Sequence, residues 1–150
     1  MDFKKCLWYV VCAKNRKEIV FMNIKEIKKQ IIDIINKYKI DCLSINSYTK
    51  RINKDTYFFD SENIENIDNE YMALSKNDLI EKIKYINYVR NAFNQLNTTE
   101  RKIVYWTYLE EEHNYDDRYI ADNLGWSLGY FYVKKKETII RFSYSLRIIK

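Results

Sequence analysis

Apolar stripes at helical spacing alternate with polar breaks along this chain, and the stripes set the elements to be expected. From Asn23 to Tyr38 the apolar positions are Ile24, Ile27, Ile31, Ile34, Ile35 and Tyr38, with lysines opposite, which predicts an amphipathic helix. Ser75 opens a second stripe through Leu79, Ile83, Ile86, Val89, Phe93 and Leu96. Ser75-Lys76-Asn77-Asp78 has the form of a capping box with Asp in place of Glu. This long helix can pack on the Asn23–Tyr38 helix or on its copy in a homodimer, and the intramolecular core is the simpler reading. Between the two, Ile40 to Ala73 loses periodicity and reads as an irregular connection with a short helix or strand around Thr56–Phe59. Its aromatics Tyr48, Tyr57, Phe58 and Phe59 predict that it packs on something, because a structureless loop of that length is unusual in a compact domain. Residues 1–22 stand apart. Leu7–Val11 suits a short strand or a helix turn, and Met22, which opens the first clean helical pattern, is a candidate natural start.

The pattern becomes more specific after Leu96. Asn97-Thr98-Thr99-Glu100 forms a second capping box, so a helix is expected from near Thr98 to about Leu109, burying Ile103 and Val104 and part of Trp106 and Tyr108. Asp116 or Asp117 can cap a short helix from Arg118 to Leu124, with Ile120, Ala121 and Leu124 inward. Gly125 supplies the left-handed cap that glycine adopts most cheaply. Trp126 plugs the turn, and Ser127 caps a last helix from Leu128 to about Leu146. A helix, a short glycine-led turn and a second helix make a helix-turn-helix signature.

In such a unit the second helix presents its amino-terminal residues to base edges in the major groove. Here those are Leu128, Gly129, Tyr130, Val133 and Lys134, with Phe131 turned inward. Ser127 can reach a phosphate, Tyr130 and Tyr132 can reach phosphate or base acceptors, and Lys134, Lys135, Lys136 and Arg141 place positive charge along the helix. Arg101 is a further candidate phosphate contact.

Composition agrees with a helical protein. The chain has no proline and only two glycines among 150 residues, and 47% hydrophobic residues exclude a mostly disordered chain. Its richness in Lys, Asn, Ile and Tyr reads as a codon bias of the source. The formal net charge of +5 suits a nucleic-acid partner without requiring one. Residues 96–150 hold nine basic and eight acidic side chains, so binding there calls for segregation, with acids before the turn and bases after it. Cys6, Cys12 and Cys42 are an odd, widely spaced set, most simply small core residues in a reducing cytoplasm, and His113 reads as a surface loop residue. The apolar run Cys6–Ala13 is too short to span a bilayer. No metal-ligand spacing, phosphate-cradling loop or catalytic arrangement is evident. The expectation is a cytoplasmic non-enzyme with no cofactor and no membrane partner.

The residues Leu96, Glu100, Arg101, Ile103 and Val104, then Ile120-Ala121, Leu124-Gly125-Trp126-Ser127, Tyr130-Phe131-Tyr132 and Lys135-Lys136 resemble sigma factor region four. Within that group the chain is most similar to the ArpU/RinA-type late-transcription regulators of temperate phages. The resemblance covers about a third of the chain. It implies an all-α fold, with an N-terminal helical and irregular part (1–74), a long connecting helix (75–95) and a three-helix helix-turn-helix DNA-binding domain (96–150). It also implies binding to double-stranded promoter DNA and activation of phage or prophage late genes, with RNA polymerase as a further partner. Leu128, Gly129 and Val133 depart from the family's more polar pattern and make the base-reading face unusually apolar. Two alternatives stay open. One is an alternative sigma factor of the toxin- or bacteriocin-regulator kind, although residues 1–95 show no recognisable promoter-melting segment. The other is a helical interaction adaptor that does not bind DNA.

Overall fold

Asn23 starts the first helix, its side chain accepting the Lys25 N–H at 3.0 Å, and the apolar stripe then carries α1 (Ile24–Ser44) across the core. The computed structural model describes residues 9–13, 16–20, 23–45, 52–63 and 74–150. Met22, Leu7, Tyr48, Cys6 and, within the region read as an irregular connection, residues 46–51 and 64–73 lie outside these. Before α1, β1 (Tyr9–Ala13) and β2 (Arg16–Val20) pair antiparallel as a two-stranded ribbon, with Val11 opposite Glu18.

The α1 helix runs beyond the expected end at Tyr38, to Ser44, because the next turns find partners. Tyr38 and Cys42 are buried, and Asp41, itself buried, accepts from Lys37 at 2.7 Å and from Lys82 at 3.0 Å. The second helix, α2 (Lys76–Asn94), starts where the Ser75 cap predicts. Ser75 Oγ accepts the Asp78 N–H at 3.2 Å. The return bond differs from a full capping box: the Ser75 hydroxyl itself donates to Asp78 Oδ2 at 2.7 Å, which suits a carboxylate one methylene shorter than Glu.

Part of the connection has its own order. Ile52–Asn53 (β3) pairs with Phe58–Phe59 (β4), and the chain then lies along α2. Two asparagines seven residues apart on α2 fix it there. Asn94 exchanges hydrogen bonds with both the N–H and the C=O of Phe59 (2.9 and 2.8 Å), and Asn87 does the same with Glu62 (2.7 and 2.9 Å). Each side-chain amide thus satisfies a backbone pair as a neighbouring strand would. Between them on the helix, the buried Arg90 donates to Glu62 Oε2 at 3.1 Å, to the Asp60 carbonyl at 3.2 Å and to the Tyr38 hydroxyl at 3.1 Å. Phe59 packs edge-on against Phe93 and Tyr38, as the aromatics of this segment predict.

The fold is mostly helical, with five helices among the described residues and two small ribbons as the departures from all-α. After α2 come α3 (Thr98–Val104), α4 (Asp117–Leu124) and α5 (Leu128–Ser145). Tyr105–Leu109 extends α3 as a π-helical turn, in which the Glu110 N–H donates to the Tyr105 carbonyl at 2.8 Å, five residues back.

Two cores meet on α5. The larger joins Ile27, Ile31 and Ile35 of α1 and Ile83, Ile86 and Phe93 of α2 with Ile139 and Phe142 of α5, so it spans residues on both sides of position 96. The smaller is Ile103, Ile120, Ala121 and Phe131, surrounded by Trp106, Tyr115, Leu124, Trp126 and Leu128. The carboxyl-terminal half of α5 is therefore clamped in the main core, while its amino-terminal half covers only α3 and α4. No helix among the described residues is long and apolar enough to cross a membrane.

Candidate nucleic-acid interface

The α4–turn–α5 segment is held by the residues whose chemistry predicts it. Asp116 is the cap of α4, its carboxylate accepting the Tyr119 N–H at 2.8 Å. Gly125 adopts φ 69° and ψ 28°, and the Trp126 N–H behind it closes on the Ala121 carbonyl at 3.0 Å. Ser127 accepts the Tyr130 N–H at 3.3 Å, which leaves the serine O–H able to donate outward. Ala121 and Phe131 are buried against each other's helices, and Trp126 is partly buried beside them.

Phe131 fixes the rotation of α5. With Phe131, Thr138 and Phe142 buried, helical periodicity puts Gly129, Val133 and Lys136 on the opposite side. Val133 is 56% exposed, Tyr132 50% and Tyr130 48%. A Cβ at Gly129 would meet nothing within 4 Å, so this stretch of helix is bare on its outer side. Tyr130 is not loose: its ring stands edge-on to Trp126 at 5.0 Å, and Lys134 Nζ lies 5.6 Å from its centre. On the exposed side of α4, Tyr119 stacks on Tyr115 at 4.4 Å, and Tyr115 on His113 at 5.3 Å.

The charges are arranged differently from the expected segregation. Acids from before the turn reach over to the bases after it. Lys135 donates to Asp117 at 2.6 Å with only 15% of its side chain exposed, and Arg141 pairs with Glu100. Within α5, Lys134 pairs with Glu137 at 3.0 Å, and that carboxylate raises the lysine's pKa. Lys134, Glu137 and Arg141 line one cleft with Glu100 and Trp126, turned toward the start of α3. Lys136 is partly buried. Lys135 and Arg141 thus brace the three-helix unit, Lys135 largely covered and Arg141 with 63% of its side chain exposed.

Arg101, the further candidate phosphate contact, has partners within the fold. Its guanidinium donates to the Thr56, Asn94 and Leu96 carbonyls and to Thr98 Oγ1, and lies 5.4 Å from the Phe58 ring. All three nitrogens are committed to tying the β3–β4 ribbon to the α2–α3 corner, so the side chain is not offered to a phosphate. Another basic residue, named above only as the start of the short helix, is left open to solvent. Arg118, in the first turn of α4, is exposed and makes no ion pair or hydrogen bond among the described residues. The signal for it was present: a basic side chain two residues past the Asp116 cap, in a helix whose inward positions are already taken by Ile120, Ala121 and Leu124.

One group among the described residues brings metal-ligating atoms together: Glu110, Glu112 and His113, within 4.8 Å of one another. It lies on a surface loop, where the Glu110 carboxylate already accepts the Glu112 N–H at 2.9 Å and His113 is stacked on Tyr115. These contacts account for the cluster as loop packing. No family model, no curated protein and no solved structure matches the chain.

Proposed function

We propose that the chain is a sequence-specific regulator of transcription that binds double-stranded promoter DNA through α5. In this reading α3, α4 and α5 form a sigma-region-four-like helix-turn-helix head of the ArpU/RinA kind, acting on phage or prophage late genes, with RNA polymerase as a further contact. One observation carries it. The amino-terminal half of α5 leaves Gly129, Tyr130, Tyr132 and Val133 uncovered after a capped turn, while Phe131 locks the helix onto α4 and Phe142 locks it into the main core. A helix held at one end and bare at the other is what insertion into a groove about 12 Å wide requires. The Ser127 hydroxyl, the Tyr130 and Tyr132 hydroxyls and the Arg118 guanidinium are the donors available to phosphates.

Fluorescence anisotropy of the full chain with short labelled duplexes of pooled random sequence tests the reading. Binding at low salt that weakens steeply as salt rises supports it. Absence of binding at low salt refutes it and favours the interaction-adaptor reading. That second reading has its own support, because Lys134, Lys135 and Arg141 are each matched by an acid and the exposed face between them is aromatic and apolar. Co-purification with core RNA polymerase, and transcription without any other sigma, marks the alternative sigma factor instead.

A further inference from the structure

The outer face of α5 is chemically unlike a helix that reads purines through hydrogen bonds. Between Leu128 and Thr138 the chain has no Asn, Gln or Arg, the side chains that grip adenine or guanine with two hydrogen bonds. Lys134 is engaged at Glu137 and Lys135 at Asp117. What stands directly opposite the buried Phe131 and Phe142 is Val133, 56% exposed. A helical side chain lies over the turn before its own Cα, and for Val133 that turn holds Gly129, where nothing lies within 4 Å of a Cβ position. The valine methyl groups therefore have no cover from that side, and β-branching gives them one strongly preferred rotamer. Tyr130 and Tyr132 flank the spot, the former held by Trp126. The apolar group that a major groove displays is the C5-methyl of thymine. Arg118 on α4 and the Ser127 hydroxyl supply the complementary contacts for the adjoining phosphates.

We propose that Val133, over the bare turn at Gly129, reads thymine methyl groups, so that the preferred ligand is a T-rich duplex segment. This rests on the reading of α5 as a DNA-contacting helix, and the test separates the two. Four labelled duplexes of equal length are titrated with the full chain: dA·dT, the same with deoxyuridine for thymidine, dG·dC, and the same with 5-methyl-deoxycytidine. The thymine duplex is expected to bind tighter than the uracil duplex by about fourfold for each methyl group in contact. The 5-methylcytosine duplex should gain over the cytosine one in the same sense, which separates the methyl group from any change in duplex shape. Val133→Ser, at an exposed site, should keep its melting temperature while binding the thymine and uracil duplexes alike. Equal binding of the wild-type chain to the thymine and uracil duplexes overturns the methyl reading and leaves duplex binding standing. Binding to none of the four at low salt overturns both.

Discussion

Lys135 and Asp117, eighteen residues apart in sequence, meet at 2.6 Å between α5 and α4, and the lysine side chain is 15% exposed. The pair fixes how the second helix sits on the first. It also removes one positive charge from the surface offered to a phosphate backbone. Lys135→Met is expected to lower stability by about 1 kcal/mol, as loss of a partly buried ion pair does, while leaving the salt dependence of duplex binding unchanged. Urea unfolding of Lys135→Met, Asp117→Asn and the double variant measures the coupling. Strictly additive losses would show that the two side chains do not interact.

Arg118 is expected to behave in the opposite way. Its side chain is exposed and makes no ion pair among the described residues, so Arg118→Ala should leave the unfolding midpoint almost unchanged. Duplex affinity should fall across all sequences alike, and the slope of log affinity against log salt should become shallower by about one. Titrations at several salt concentrations read both quantities.

The two glycines call for opposite outcomes. Gly125 sits at φ 69°, where a side chain is strained even though a Cβ would meet nothing within 4 Å, so Gly125→Ala should cost about 1 kcal/mol. Gly129 lies inside α5 with open space beside it, so Gly129→Ala should stabilise by about 0.5 kcal/mol through helix propensity. The added methyl at 129 stands between the helix and a groove, so the more stable variant should bind duplex DNA more weakly. Thermal melting and anisotropy together separate the two effects.

Cys42 gives the pH dependence. Burial pushes its thiol above the ordinary range, with the neighbouring Arg90 charge offsetting part of the rise. A group with a raised folded-state pKa contributes stability below its unfolded pKa and loses it as pH climbs. Stability should therefore decline with rising pH from about 8.5, the ordinary thiol value, upward. In a Cys6→Ser, Cys12→Ser background, iodoacetamide should label Cys42 only under conditions that unfold the chain. The decline with pH should shrink in Cys42→Val.

Much of the chain's order is written in short-range chemistry. The caps at Asn23, Ser75, Asn97, Asp116 and Ser127 stand at the helix starts, and Ala121, Gly125 and Phe131 take the places their size and conformational freedom suggest. What the sequence hides is long-range. Glu100 reaches Arg141 across forty-one residues, and Asn87 and Asn94 take up the backbone of a segment that carries no periodicity of its own. Arg101 looks like a surface base until the ribbon carbonyl at Thr56 is placed beside it. The extension of α1 to Ser44 depends on Lys82 reaching Asp41 from another helix, which no local pattern announces. The charge pattern on the candidate interface is thus a tertiary property, while its apolar character at Gly129 and Val133 was legible from the start.

The most direct test of α5 as the DNA-contacting helix is the amide NMR spectrum of the assigned full chain as a duplex is added at low salt. The expected result is that amides of residues 127–137 and of the first turn of α4 shift or broaden, while those of α1 and α2 stay in place. Shifts confined to the exposed side of α1 or to the loop at 110–116, or no shifts at all, would contradict it.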